Sequence, residues 1–129
     1  MTPKCELLPR NKFDDEAVEK LALLPEAELR PLLPGLAEWI QDSNWPIAPA
    51  VGKLLALHLA ALEPLILEVL TGGDDEWKLH LLWLIQPATL PVLSAPLRTS
   101  LERLITSPTL GERDWEVPDR ARDLLDQYA

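Results

Sequence analysis

The stretch QDSNWPIAP, residues 41–49, sets a tryptophan between an amide and a proline in a chain otherwise rich in Leu and Ala. It reads either as an exposed binding loop or as a helix start. Two other stretches bear on the choice. DSNW (42–45), DDEW (74–77) and ERDW (112–115) each run from an acidic residue through mostly polar residues to a Trp. Acidic and amide side chains suit helix N-termini, where free N–H groups and the positive end of the helix dipole await them. On this reading Asn44 caps, Trp45 packs down, and Pro46 fixes the first turn. Pro49 then removes one backbone hydrogen bond and bends the helix. The Trp-to-Trp spacings of 32 and 38 match the size of α-solenoid repeats, whose stacked helix pairs share one core. The alternative keeps Gln41, Asp42, Asn44 and Trp45 as an exposed loop cluster, with Trp as an interface anchor.

Composition points the same way. Leu and Ala favour helix, and the β-branched and aromatic residues that favour strands are few. Thirteen prolines act as punctuation, tolerated in a first turn and disruptive in an interior. Between them the spacing predicts about seven helices, near 14–23, 31–42, 46–59, 62–71, 75–86, 90–106 and 115–127. Asp14 is the expected N-cap of the first, with Phe13 and Val18 as its hydrophobic staple. Residues 26–30 read as a short turn of helix. The core LHLLWLI (79–85) is apolar almost all round, the mark of a central, buried helix. The expected architecture is all-α, with helices in antiparallel pairs in one domain over 1–129, and residues 1–12 as a mobile N-terminal segment.

Residues 79–97 carry no formal charge, a length that raises the question of a membrane span. Pro87, Pro91 and Pro96, with Gln86, Thr89 and Ser94, read instead as a buried helix, a turn and the start of another helix.

The net charge is −9, and residues 26–97 hold nine acidic and three basic side chains. Phosphate backbones repel such a surface, so nucleic acid is not an expected partner. A basic protein is. Cys5 is the single cysteine, too few for an internal disulfide or a structural zinc site, and it fits a reducing cytoplasm. The opening MTPKCELLPRNKFDD lacks the apolar run of a signal peptide.

EWIQDSNWPIAP (38–49), with LLPRNKFDDEAVEKL (7–21) before it and DDEWKLHLLWL (74–84) after it, resembles a bacterial family of short proteins known only as a domain of unknown function. The resemblance covers roughly residues 7–107, and QD-x-NWP-[IV]-A is its most specific part. That family is similar to HEAT-type helical repeats. The resemblance therefore implies a compact α–α stack, and it carries no activity or catalytic residues to transfer. ERDW lies outside it.

Little in the chain points to chemistry. A zinc site needs three or four convergent ligands, and there are two histidines, His58 and His80. His58 reads as a core or interface residue, with Glu63 the nearest carboxylate downstream. His80 falls one turn after Glu76 and reads as its hydrogen-bond partner. The runs Asp14-Asp15-Glu16 and Asp74-Asp75-Glu76 suit caps and dipole partners better than a metal or a general acid. No calcium loop, phosphate-binding loop or G-x-S-x-G elbow occurs. The chain thus reads as a non-enzymatic protein-interaction module with no cofactor, of immunity or regulatory type. Gln41, Asp42, Asn44, Trp45, Asp74, Asp75 and Glu76 are its candidate contact residues, and self-association remains open. The rival is a small-molecule site or enzyme in an interhelical pocket near His58, His80 and Trp83.

Overall fold

A computed structural model of the protein describes residues 7–129. Every regular element among them is a helix, as expected. They are α1 (Asp15–Ala22), α2 (Glu26–Leu29), α3 (Leu33–Ala37), α4 (Ala48–Ala56), α5 (Leu59–Leu70), α6 (Asp75–Leu84), α7 (Ala95–Thr106), α8 (Leu110–Asp114) and α9 (Val117–Gln127). The described chain divides into two compact units between Leu62 and Glu63. Cys5 lies outside the described residues.

In the first unit, Asp14 caps α1 as expected, accepting from the Ala17 N–H at 3.3 Å. The staple fails. Val18 is buried, but Phe13 stays largely exposed with the Lys12 ammonium 5.4 Å from its ring centre. The short turn of helix expected at 26–30 is α2, and the helix expected after it, near 31–42, is not one regular helix. Pro31 and Pro34 each fall in the first turn of a short segment, where the missing N–H is tolerated, and 3-10 turns at Arg30–Leu32 and Glu38–Ile40 flank α3. The handedness persists, and Leu29, Leu32, Leu33, Leu36 and Ile40 are all buried. Gly35 matters here: a Cβ would collide with Leu8, which the bare glycine lets lie against α3. α4 starts later than expected, at Ala48, and buries Val51, Leu54 and Leu55. Leu59 and Leu62 of α5 complete the apolar set of this unit.

The second unit holds the rest of α5, with Pro64 inside the helix, and α6 to α9. Asp74 caps α6 through the Trp77 N–H at 3.1 Å. α6 departs from the all-round burial expected of it. Leu81 and Leu82 are buried, yet Trp83 is 58% exposed and the buried face also includes Lys78. The apolar run was read without its orientation, and one side of α6 faces solvent. After Leu84 the Thr89 hydroxyl donates to the Leu84 carbonyl at 2.8 Å, closing the expected turn, while residues 90–94, expected to be helical, are irregular. α7 begins at Ala95, with Ser94 accepting from the Leu97 N–H at 3.2 Å and Pro96 in the first turn. α8 was not expected. It is set by a capping box, Thr109 with Glu112. Glu116 joins it to α9 in the left-handed region, at φ 58°. The stretch 79–97 thus folds as helix end, turn and helix start. No single helix among the described residues is long and apolar enough to cross a membrane.

Candidate functional site

The three Trp motifs separate once they are folded. DDEW is a helix start, with Asp74 at the cap and Trp77 in the first turn. DSNW is a turn ahead of the helix. The Asp42 carboxylate accepts from the Asn44 N–H at 2.8 Å, and the Asp42 carbonyl from the Trp45 N–H at 3.2 Å. Asn44 caps nothing, and the N-cap position of α4 is Ile47, without a side-chain bond. Pro46 precedes the helix, and Pro49 sits in its first turn, where its missing N–H costs nothing. The expected bend at Pro49 therefore has no cause. ERDW ends a helix instead of starting one: Thr109 caps α8, and Trp115 is its C-cap. Acid-to-Trp spacing alone did not distinguish a cap from a turn or from a third helical position.

Among the candidate contact residues of the first unit, Asn44 is exposed, while Gln41, Asp42 and Trp45 are half-buried. Trp45 meets Trp39 edge-on, with centroids 5.4 Å apart at 61°. In the second unit Asp74 is exposed and spent on the cap. Asp75 is paired with Lys78 at 2.8 Å, and Glu76 with His80 at 2.9 Å, as the i,i+4 spacing foretold. His58 finds Glu26 at 3.7 Å, an upstream carboxylate, not Glu63. Glu63 instead accepts from the Ser94 hydroxyl at 2.7 Å. Each histidine has its own carboxylate inside its own unit. Among the described residues no group of three or more His, Cys, Asp and Glu is placed to hold a metal ion.

The densest polar cluster was missed. Glu112 is fully buried and Lys78 is 2% exposed, and they meet at 2.8 Å. Arg103 grips the same carboxylate with both terminal nitrogens, at 2.8 and 2.9 Å, and donates to the Leu70 carbonyl at 2.9 Å. The Thr109 N–H adds a fourth bond to Glu112 at 2.8 Å. Asp75 approaches Lys78 from the other side, across Gly111, where a Cβ would strike its carboxylate. Burial alone would raise the Glu112 pKa. The hydrogen bonds from Arg103, Lys78 and Thr109, with the charge of Lys78, outweigh it and hold the group at about 2. A carboxylate so held, with both oxygens engaged, is a brace between α6, α7 and α8 and has no lone pair left to act as a base. Two signals pointed to it: the capping-box pattern T-L-G-E (109–112), and a lone lysine on an apolar helix.

A second brace is Arg120. Its guanidinium lies 4.2 Å from the Trp83 ring centre and donates to the Leu82 and Ile85 carbonyls at 3.3 and 2.7 Å. It thereby caps the C-terminus of α6 at the negative end of its dipole. Burial pulls its pKa below the ordinary value, against the opposing charges of Asp123 and Tyr128. The Tyr128 hydroxyl donates to the Leu90 carbonyl nearby.

Two depressions of the described surface lie each within one unit. One, of about 320 Å³, is lined by residues of the α7–α9 region including Arg113, Glu116 and Arg122, the last paired with Asp119 at 3.0 Å. The other, of about 400 Å³, lies between α1 and α4. Its walls are two helical rows of i, i+3 or i+4, i+7 spacing: Asp15, Val18, Glu19 and Ala22 on α1, and Ala50, Lys53, Leu54 and Leu57 at and beyond α4. Leu57, at its end, is 76% exposed.

A comparison with curated proteins finds no match for this chain. The sequence pattern of a known family matches residues 7–125, reaching past the expected limit near 107 to include α8 and most of α9. The chain belongs to the family described as Domain of unknown function (DUF5071).

Proposed function

We propose that the chain is a non-enzymatic protein-interaction module acting in a bacterial cytoplasm, with a basic protein as its partner. An immunity-type protein that neutralises a basic toxin such as a nuclease is one form of this reading, and a regulatory binder is another. HEAT-like stacking of the helices into one domain belongs to the same proposal and rests on the family resemblance.

The observation that carries it is charge. The net charge is −9, and the buried cluster of Asp75, Glu112, Lys78 and Arg103 is neutral in sum, so the whole excess lies elsewhere on the chain. Such a field draws a basic partner and speeds its encounter. The polar groups that do converge are engaged with one another, which favours a role for surface over pocket chemistry.

The test is purification of a tagged chain from its native host at low and high salt. A basic protein should co-elute at low salt and bind less tightly as ionic strength rises. If nothing basic co-elutes, or if binding ignores salt, the reading fails.

A further inference from the structure

The groove between α1 and α4 combines an apolar floor with charges that form no ion pair among the described residues. Val18, Leu54 and the exposed Leu57 form a continuous apolar strip. Asp15 and Glu19 line one wall and Lys53 the other. Among the described residues none of these three charges makes an ion pair. The contrast lies on the same helix, where Glu16 is paired with Lys20 at 3.2 Å. Two helices in contact present matching rows to the groove, and each row spans two turns, about 10 Å. That is the length an amphipathic helix covers when it anchors through residues at i, i+3, i+4 and i+7.

We propose that this groove seats one amphipathic helix of a protein partner, its basic flank against Asp15 and Glu19 and an acidic residue against Lys53. The occupant follows from charge complementarity. Two acids on the α1 wall select cations there, and the lone lysine on the α4 wall selects an anion. A helix with acids on both flanks would set like charges together on the α1 wall. The inference rests on the interaction-module reading and specifies where such a module makes contact.

The probe is a designed helical peptide of about 14 residues, long enough to overlap both rows. It carries a leucine stripe, lysines on one flank and a glutamate on the other. A second peptide carries glutamates on both flanks. Binding is read by fluorescence anisotropy. The first peptide should bind the native chain more tightly than the second. Leu57→Glu, a change at an exposed position, should weaken it about tenfold or more, since a leucine side chain leaves water on binding. The double variant Asp15→Lys with Glu19→Lys makes both walls basic and should reverse the preference between the peptides, a result that loss of folding cannot imitate. Equal binding of the two peptides, or binding untouched by Leu57→Glu, overturns the proposal. So does a concentration-dependent dimer that Leu57→Glu breaks, which would make a second copy the occupant. A basic host protein that binds in a salt-dependent way yet ignores Leu57→Glu overturns the groove alone. Absence of any basic partner overturns the broader reading, while the peptides still decide the groove.

Discussion

Glu112→Gln tests the buried brace most directly. Glutamine keeps the shape and can still accept the Thr109 N–H, so the change removes mainly the charge. The native carboxyl is held at about 2 against an ordinary 4.5. At 1.36 kcal/mol per pKa unit, that depression corresponds to about 3 kcal/mol of stability at neutral pH. The sign follows from the depressed value. The stabilisation is full above the unfolded pKa and is lost as pH falls from about 4.5 through about 2. By the same linkage only about 1 kcal/mol of it survives at pH 3. The variant also leaves Lys78 with Asp75 as its sole carboxylate partner in a site 2% exposed. Removing one partner of a buried pair costs on the order of 3–5 kcal/mol, which agrees with the linkage figure.

The assay is urea unfolding of both proteins at pH 7 and pH 3. At pH 7 the variant should lose about 3 kcal/mol, and at pH 3 the gap should close to roughly a third of that. Adding Lys78→Met should recover part of the loss, because it removes the cation left short of a partner. A loss under about 1 kcal/mol at pH 7, or a gap unchanged at pH 3, refutes the claim that Glu112 is ionised and holds the three helices together.

Gly111→Ala should cost about 1–3 kcal/mol by pushing the Asp75 carboxylate off Lys78. In an Asp75→Ala background the same change should be nearly neutral, and equal costs in both backgrounds would show that the clash is not with Asp75. Asp74→Ala should lose about 1 kcal/mol in thermal unfolding by uncapping α6, with no effect expected from the corresponding change at Asn44, which caps no helix. Glu116→Gly should stabilise by about 0.5–1 kcal/mol, since glycine carries no penalty at φ 58°. A loss there would mean that the Glu116 side chain has a role of its own. Trp45→Ala should lose about 2 kcal/mol and Trp45→Phe clearly less, because a phenyl ring retains an edge contact with Trp39.

The elements readable in the sequence were those whose cause is local. Asp14 and Asp74 cap helices because an acidic side chain three residues before a free N–H is enough. Glu76 reaches His80 because one helical turn brings them together. What the sequence hid depends on orientation or distance. The apolar run 79–85 revealed that α6 is helical, but not that Trp83 points outward while Lys78 points in. One helix was expected from about 31, whereas Pro31 and Pro34 each open a short segment of their own, a 3-10 turn and α3. ERDW misled because an acid followed by Trp occurs equally well at the third position of a capping box. The Lys78–Glu112 pair spans 34 residues, and no periodicity registers a partner at that range.

On the proposed reading, the acidic field and the α1–α4 groove make separable contributions to binding. A field set by net charge extends over a Debye length, about 8–10 Å near physiological salt, and accelerates encounter without fixing a pose. The groove acts only on contact, through a leucine strip and three charges, and so governs how long a partner stays. Raising the salt should therefore slow association of a basic partner and leave dissociation nearly unchanged. Leu57→Glu should do the reverse, speeding dissociation while adding one more negative charge to a surface that already attracts the partner. Stopped-flow measurement of both rates on the two proteins distinguishes them. If Leu57→Glu slows association and leaves dissociation alone, Leu57 lies outside the bound interface and the acidic surface alone accounts for the binding.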